Sequence, residues 1–400
     1  MSMVGTEATL QEILGYLQDV ESDTNILAGG VADNWDAIWK IVQAGKLAQL
    51  PVGTQIVDKW ALSDSAADKY DAVWDVVHHY ANGDVALNWH YALPNDCQFD
   101  APEAIYYAPS GGLAAGTYYI SIGTAYGGWS TSKHIQFTLS AAMAEGDQLY
   151  IDCGGDSAND PTNNRNWYVY AQGSTTAKQS GKTSNGTSGT SLGTIGATNA
   201  HKPEGNLNGI SVVVYGYGRW SQSAIRQWLN SEAVAGYWWT PQNPWDRPPG
   251  NAATVRGFLA GCSPEFLEVL KPVEVITALN TVQGFTDQTE TTQDRIFLPA
   301  LDSWYIQPQY SGEDDNWDYY KALAAEAGLS GKFQTYPATY DVLKKYSISA
   351  KTSAVVVWLR SAGRGGANYA WAVHSSGSVS NGNARYALRG CPACKIIKST

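Results

Sequence analysis

Residues 353–389 read SAVVVWLRSAGRGGANYAWAVHSSGSVSNGNARYALR, and this stretch decides the fold of the C-terminal half of the chain. It opens on Ser353–Leu359, an apolar run typical of a buried strand. From Ser361 onward, small hydrogen-bonding residues and Tyr occupy most positions. An apolar framework recurs among them at Ala362, Ala367, Ala370, Trp371, Val373, Val379, Ala384 and Ala387. The stretch therefore predicts a buried strand followed by a polar surface on a thin apolar framework.

The composition of this polar surface resembles that of an antibody paratope. There, Tyr supplies rigid contact area, while Ser, Gly and Asn supply adaptable hydrogen bonds. The alternative is an ordinary surface loop rich in Gly and Ser. Composition alone favours neither interpretation.

The composition of the whole chain excludes some classes of protein. With 400 residues, 44% of them hydrophobic, and with 16 Trp and 24 Tyr, the chain has enough apolar material for two or three compact units. The net charge of -11 argues against a nucleic-acid partner. Proteins that bind nucleic acids carry clustered Lys and Arg, whereas the Lys and Arg of this chain are interpreted as scattered. We expect no membrane span, because no apolar run approaches about 18 residues. Met1–Thr6 lacks the pattern of a secretory signal, so synthesis in a cytoplasm is expected.

Two amphipathic patterns make residues 1–50 an N-terminal helical segment. A first stripe of apolar residues at three- and four-residue spacing contains Leu10, Ile13, Leu14, Leu17 and Val20. A second stripe contains Trp35, Ile38, Trp39, Ile41 and Val42 and stops at Gly45. The first stripe either packs on its own domain or forms a short homotrimeric coil. Its shortness favours the former, because a coiled coil needs several heptads.

Three further segments follow. Residues 51–172 predict a β-rich domain similar to a β-sandwich or jelly roll, because short alternating stretches are separated by Gly, Ser and Pro. These stretches include Tyr106–Tyr107, Gly116–Ile122, His134–Leu139 and Gln148–Ile151. Residues 173–204, rich in Ser, Thr and Gly, predict a loop or linker. Residues 205–400 form a mixed unit with helices at Ser223–Leu229 and Phe266–Leu270, a strand end at Arg295–Pro299 and much loop.

Few residues of the sequence match catalytic or metal-binding patterns. Cys391 and Cys394 have the spacing of a thiol redox motif or of half a zinc site, but no second Cys pair and no His pair accompanies them. Five cysteines are an odd and sparse set, so reduced, partly buried structural thiols are favoured. The acidic run at residues 313–315, with Asp318, lacks the oxygen spacing of a calcium loop and is interpreted as a solvated loop. Nucleophile-elbow, phosphate-loop and zincin motifs do not occur, so no catalytic residue, metal or cofactor is predicted.

Several ordered motifs resemble a family of proteins from phages and prophages of gut Firmicutes. In the C-terminal half they are Tyr215–Ser231, Asp246–Pro249, Gly257–Gly261, Asp294–Ala300, Trp358–Ser361 and Cys391–Cys394. In the N-terminal half they are Trp35–Gly45, Pro51–Gln55, Phe99–Ala104 and Phe137–Leu149. The resemblance implies a C-terminal domain with a C-type lectin fold of the formylglycine-generating-enzyme type. It also implies the variable protein of a diversity-generating retroelement, in which an error-prone reverse transcriptase substitutes at adenines and rewrites Asn codons.

The expected fold class is therefore α+β, with N-terminal helices, a β-sandwich-like middle domain and a C-type lectin-like C-terminal domain. The resemblance implies a ligand-binding variable surface made of Gly365, Gly366, Asn368, Tyr369, Ala372, His374, Ser378, Ser380, Asn381, Gly382, Asn383, Arg385, Tyr386 and Leu388. An invariant core is expected from Trp220, Ile225, Trp228, Leu229, Phe258, Phe297, Leu298, Trp358 and Trp371. Arg226 and Arg360 are expected to anchor irregular loops through several hydrogen bonds.

These inferences make the leading hypothesis a receptor-binding or adhesion protein of a phage virion, located on the tail or surface. Its expected partners are a bacterial surface protein or glycan and other virion proteins, and a homotrimer is expected by analogy. The first alternative is a structural virion or host-interaction protein without variable ligand binding. The second is an enzyme that uses Cys391 or Cys394.

Overall fold

A computed structural model provides the structure of the chain. It describes residues 34–100, 218–242, 248–279, 289–364 and 369–399, together with separate short stretches between residues 104 and 214. The first predicted helical stripe, Leu10 to Val20, lies outside the described residues. Both helices and strands are present and strands predominate, which agrees with the predicted α+β class.

The helices are short. The α-helices of the described residues are α1 (Trp35–Gln43), α2 (Ala224–Leu229), α3 (Pro264–Val269) and α4 (Asp318–Glu326). Helix α1 follows from local sequence, because Trp35, Ile38 and Ile41 bury one face and the Asn34 side chain accepts a hydrogen bond from the Ala37 N–H. It ends before Gly45, whose φ of 68° is a left-handed conformation that suits glycine. The predicted helices at Trp35–Val42, Ser223–Leu229 and Phe266–Leu270 are thus confirmed.

The strands fall into an N-terminal, a middle and a C-terminal group. The N-terminal strands are β1 (Gln55–Ala61), β2 (Lys69–His79), β3 (Val85–Trp89) and β4 (Cys97–Gln98). The middle strands are β5 (Ala104–Tyr107), β6 (Gly116–Ser121), β7 (Lys133–Leu139), β8 (Gln148–Asp152), β9 (Asn166–Tyr170), β10 (Ala177–Lys182), β11 (Ser184–Asn185) and β12 (Val212–Val214). The C-terminal strands are β13 (Val273–Ala278), β14 (Thr289–Asp294), β15 (Lys345–Tyr346), β16 (Ala354–Val355), β17 (Val357–Ala362), β18 (Tyr369–Val373), β19 (Val379–Asn383), β20 (Ala387–Gly390) and β21 (Ala393–Ile396).

Two sheets join the N-terminal and C-terminal groups. The first has the strand order β1-β2-β3-β21, and the second has the order β19-β18-β17-β20-β4. Strands β3 and β4 run antiparallel beside β21 and β20, respectively. Between the two sheets, the ribbon is continued by hydrogen bonds from the Trp89 N–H to the Pro392 carbonyl and from the Leu93 N–H to the Gly390 carbonyl. The first and last described segments therefore build one structure.

This pairing corrects the predicted domain boundaries. Residues 51–100 do not belong with residues 104–172 in a separate β-rich domain, because their strands share both sheets with the C-terminal strands. Their side chains share the same core: Trp60 packs 5.3 Å from Phe258 between ring centroids, and its Nε1 donates to the Phe258 carbonyl at 2.9 Å. Alternation predicts that a segment is β-rich but not which strands pair, and here Val85 pairs with Ile396 and Cys97 with Leu388.

The middle strands pair only among themselves within the described residues. They form one sheet of order β10-β9-β8-β5-β12 and another of order β11-β7-β6. Strands β5 to β8 confirm the strand-like stretches predicted from sequence. Strands β10 and β11 lie inside the predicted linker at residues 173–204, which corrects that prediction. A segment rich in Ser and Gly can still pair, because the ladder hydrogen bonds come from the backbone.

The residues predicted to form the core are buried. These nine residues are Trp220, Ile225, Trp228, Leu229, Phe258, Phe297, Leu298, Trp358 and Trp371. Within the described residues, no helix combines the length and the apolar composition that a membrane span requires.

Candidate ligand-binding rim

The predicted variable residues that the structure describes lie on β18, β19 and β20 and on the turns beside them. Among the strands that the structure describes, β19 is the outer strand of its sheet and pairs with β18. We use the name β19 rim for the predicted residues that reach the surface here, namely Tyr369, His374, Ser380, Asn381, Gly382, Tyr386 and Leu388. Asn381 is the exposed member and the others are partly buried.

The remaining predicted residues lie elsewhere. Ala372, Ser378, Asn383 and Arg385 are buried, so the expectation that they form part of an exposed surface is wrong. Gly365, Gly366 and Asn368 lie outside the described residues. Burial of these residues follows from the packing of the sheet, which position along the chain does not specify.

The register of β18 and β19 divides the predicted residues between two faces of the sheet. Tyr369 lies opposite Asn383, whereas Ala372 lies opposite Ser380. Directly opposed residues share a face, and neighbours along a strand alternate between faces. Ser380 and Gly382 are partly exposed although they lie on the inner face with Ala372, because β19 is the outer strand.

An aromatic interior lies directly beneath the rim. The Trp358 ring is buried, packs edge-on against Phe99 at 5.7 Å between centroids, and donates from Nε1 to the Cys97 carbonyl at 3.1 Å. A Cβ atom added at Gly382 would lie 3.1 Å from the Trp358 ring. A Cβ atom at this predicted variable position therefore requires the Trp358 ring to give by a few tenths of an ångström.

The outer face of the rim contains residues that the sequence interpretation missed. Gln309 Oε1 accepts hydrogen bonds from the Trp371 Nε1 at 3.3 Å and from the Arg364 N–H at 2.9 Å. The Arg364 guanidinium lies 5.3 Å from the centroid of the Tyr310 ring and donates to the Leu279 carbonyl. Nothing in the local sequence around Gln309 and Tyr310 indicates this contact. Gln309 lies 55 residues before Arg364 and 62 residues before Trp371 along the chain and is near them only in the folded structure.

Two tyrosines lie close together on the rim. Burial raises the pKa of Tyr369 above its ordinary value of 10.0, and the neighbouring Tyr386 raises it further. The backbone N–H of Tyr386 donates to the Asn383 carbonyl at 2.8 Å, which fixes the turn after β19. The Arg385 guanidinium lies 5.4 Å from the centroid of the Tyr386 ring. This arrangement provides aromatic contact area beside hydrogen-bonding groups.

The far end of the rim is held by the segment before β15. The Tyr336 N–H donates to the Val379 carbonyl at 2.7 Å, and the Tyr340 N–H donates to the Gly377 carbonyl at 3.1 Å. Gly377 has a φ of 80°, and a Cβ there would lie 2.1 Å from the Tyr340 carbonyl oxygen. His374 Nε2 and Ser380 Oγ are 2.8 Å apart, and burial lowers the pKa of His374. The turn between β18 and β19 is therefore fixed by backbone contacts.

A polar cluster lies behind the rim, around Arg360. Its guanidinium is buried and donates to the carbonyls of Leu298 and Glu313, both at 2.8 Å. Arg226 donates to Asp294 at 2.6 Å and to the Ser221 carbonyl at 3.1 Å. The prediction that both arginines anchor irregular segments is confirmed.

The acidic run beside this cluster is only partly solvated: Asp315 is exposed, as the sequence interpretation expects, whereas Glu313 is buried, which corrects that interpretation at this residue. Glu313 is buried and accepts from Ser361 Oγ at 2.5 Å and from the Ala278 N–H at 3.0 Å, and burial raises its pKa. Asp314 accepts from the Tyr80 hydroxyl at 2.8 Å and lies 3.5 Å from Lys395 Nζ. The run borders a cavity of about 290 Å³.

The cysteines of the described residues are free thiols, as expected. Cys97, Cys391 and Cys394 are buried and Cys262 is partly buried, while Cys153 lies outside the described residues. Burial raises the pKa of Cys97 and of Cys391 to about 12. Such thiols are poor nucleophiles, because the thiolate is the reactive form. In the part of the chain that the structure describes, no three His, Cys, Asp or Glu side chains are grouped so that they could hold a metal ion.

Comparison with known proteins gives one match. Residues 208–399 match a family model described as a domain of unknown function (DUF6273). No curated protein and no solved structure matches the chain. The matched segment contains the whole β19 rim and strands β13 to β21, but not the N-terminal strands that complete both sheets.

Proposed function

We propose that this protein is a receptor-binding or adhesion protein of a phage or prophage that binds its ligand at the β19 rim without catalysis. In this proposal, the C-terminal half has a C-type lectin fold of the formylglycine-generating-enzyme type. The rim is the product of a diversity-generating retroelement, and its target is a molecule on a bacterial surface. Several copies on one virion, with a trimer as the expected state, would raise the avidity.

The contrast in burial between strands β19 and β17 carries the proposal. Every residue of β17 is buried, whereas the middle residues of β19, Ser380 to Gly382, are partly or fully exposed. Substitutions at exposed positions usually change stability by no more than about 0.5 kcal/mol. A rim with this support can exchange its side chains while the sheet stays folded.

The residue types on the rim agree with a binding role. Tyr369 and Tyr386 supply large rings with few rotatable bonds, and Ser380 and Asn381 supply hydrogen-bonding groups. The motifs quoted above supply the virion context and the retroelement. The raised pKa values of Cys391 and Cys394 disfavour the alternative of an enzyme that uses one of these cysteines.

A cell-binding assay with matched variants tests the binding site. The full-length protein is labelled and titrated onto a panel of gut Firmicutes cells, and the Tyr369→Ala/Tyr386→Ala variant is compared with the wild type. We expect at least about a tenfold loss of apparent affinity, because aromatic residues at the centre of a site dominate binding energy. Tyr237→Ala is the control, because Tyr237 is 77% exposed and lies outside the rim.

The proposal fails if a folded double variant binds cells as tightly as the wild type, or if the wild type binds no strain of the panel. Sequencing of the DNA around the gene tests the retroelement separately. We expect a near-copy of the segment encoding residues 358–389, differing mainly at adenines and lying beside a reverse-transcriptase gene. Absence of that copy from the surrounding DNA would contradict diversification.

A further inference from the structure

Gln309 presents a hydrogen-bond donor at the outer face of the β19 rim. Its Oε1 accepts from the Trp371 Nε1 at 3.3 Å and from the Arg364 N–H at 2.9 Å. An indole N–H and a backbone N–H can only donate, so the atom that faces both of them must be the amide oxygen. The amide nitrogen, Nε2, therefore points away from these two donors. Gln309 is exposed, and within the described residues Nε2 donates to no acceptor.

A second amide lies beside the same indole. Asn381, the exposed residue of β19, is directly opposite Trp371 in the strand pair. Directly opposed residues share a face of the sheet, and their Cβ atoms are about 4.5–5.5 Å apart. The partly buried Tyr369 is on this face as well, because it precedes Trp371 by two residues in β18. One surface that is open to solvent thus offers two uncharged amides and a tyrosine ring.

The chemistry of these groups indicates an uncharged, hydroxylated ligand. A carboxamide both donates and accepts hydrogen bonds, which matches a hydroxyl group, whereas a carboxylate can only accept. The cation of this face, Arg364, donates from its guanidinium to the Leu279 carbonyl at 2.9 Å and lies against the Tyr310 ring, so contacts within the protein already account for its position. A sugar carries neighbouring hydroxyl groups and a C–H face that packs against an aromatic ring such as that of Tyr369.

We infer that the β19 rim binds a neutral glycan, in which one sugar hydroxyl accepts a hydrogen bond from Gln309 Nε2 and a neighbouring hydroxyl of the same sugar binds the Asn381 amide. This inference rests on the proposed function and names its ligand class. Gln309 lies outside residues 358–389, the segment expected to vary, so its contact is common to all variants. The diversified residues then select which glycan binds, while Gln309 keeps the class of ligand the same.

A polypeptide is the other surface ligand that amide side chains recognise, and the edge of β19 argues against it. Peptides commonly bind at such an edge as an added strand, through backbone hydrogen bonds. Here the Val379 carbonyl already accepts from the Tyr336 N–H, and the Asn383 carbonyl accepts from the Tyr386 N–H. Both ends of the edge are therefore occupied, which leaves too short a stretch for an added strand.

Treatment of cells distinguishes the two classes of ligand. The full-length protein is titrated onto strains that it binds, after periodate oxidation or after proteinase K. Periodate cleaves the bond between two carbons that carry neighbouring hydroxyls, the pair that the rim is inferred to bind, so we expect it to abolish binding. Mock-treated cells are the control. Binding that survives proteinase K identifies a polysaccharide, and binding that is lost after either treatment identifies a glycan carried on a protein.

Salt dependence tests whether the contacts are uncharged. We expect the apparent affinity of the wild type to change by less than about twofold as salt rises from about 0.05 M to about 0.5 M, because screening acts on charges. A loss of about tenfold or more over this range would show an ionic ligand instead.

A matched pair of variants tests the assigned donor. Gln309→Glu keeps an oxygen for the Trp371 Nε1 and the Arg364 N–H but has no N–H to donate, so we expect apparent affinity to fall about tenfold at an unchanged Tm. Gln307→Glu is the control, because Gln307 is exposed two residues earlier and the substitution adds the same charge, and it should bind like the wild type. A Gln309 that only held Trp371 in place would tolerate Glu. Should Gln309→Glu fail to fold, the periodate and salt tests on the wild type decide.

Two further results would overturn the inference, namely full binding to periodate-treated cells and unchanged affinity in a folded Gln309→Glu variant. If periodate leaves binding intact while the tyrosine double variant loses it, the neutral-glycan inference fails and the proposed function stands. If the wild type binds no strain, both fail.

Discussion

Strands β17 and β19 belong to the same sheet, with only β18 between them, yet they differ in the substitutions that they are expected to tolerate. All positions of β17 are buried, and its Trp358 and Arg360 contact segments from distant parts of the chain. Strand β19 is buried at its two ends and open in the middle. The difference shows that position in the sheet, more than residue type, determines whether a residue supports the fold or is free to vary.

The largest expected effect is at the centre of β17. Trp358→Ala removes a fully buried ring and its hydrogen bond to the Cys97 carbonyl, and leaves a cavity beside Phe99. We expect the free energy of unfolding to fall by about 3–5 kcal/mol. Urea denaturation followed by circular dichroism measures it. A loss below about 1 kcal/mol would contradict the burial of β17 in a tightly packed interior.

The turn between β18 and β19 should be the next most sensitive position. Gly377→Ala combines a left-handed φ with a clash against the Tyr340 carbonyl, so we expect a loss of about 2–3 kcal/mol. Gly53→Ala is the matched control, because Gly53 has a φ of 94° but nothing within 4 Å of the added Cβ. The control should lose about 1 kcal/mol. Equal losses in both would show that the Tyr340 contact does not hold the rim.

The buried thiol of Cys97 tests whether the interior is closed to solvent, because its ionisation makes the stability of the protein depend on pH. Burial raises its pKa from 9.0 to about 12, so the folded and unfolded states both keep the thiol proton below pH 9. The unfolded chain ionises first as pH rises, and stability is therefore lost between about pH 9 and pH 12. Native protein carrying Cys153→Ser should react with iodoacetamide at pH 8 far more slowly than unfolded protein. Rapid modification of Cys97 in the native state would contradict a sealed interior.

The sequence predicts local features well and long-range pairing poorly. Helix α1 was predictable, because its cap at Asn34 and its apolar face lie within a few residues. The pairing of β3 with β21 was not, because alternation marks a strand but does not name its partner. The rim followed from composition and resemblance, yet the burial of Ala372 follows from the place of β18 between β17 and β19, which only the structure reveals.

The smallest expected effect is on the rim itself. Asn381 is exposed, so Asn381→Tyr should change the free energy of unfolding by no more than about 0.5 kcal/mol. Its ligand binding should change, because the new ring lies on the same face of the strand pair as Tyr369. Destabilisation of more than about 1 kcal/mol would show that Asn381 cannot vary without loss of stability.

The most direct test of the account compares this variant with Ala372→Tyr in one unfolding experiment. Both positions were predicted to vary, but Ala372 is fully buried and lies opposite Trp358 on β17. We expect Ala372→Tyr to lose at least about 2 kcal/mol, because overpacking forces the core apart, while Asn381→Tyr stays close to the wild type. Equal stability of the two variants would contradict the claim that a sealed interior supports an exchangeable rim.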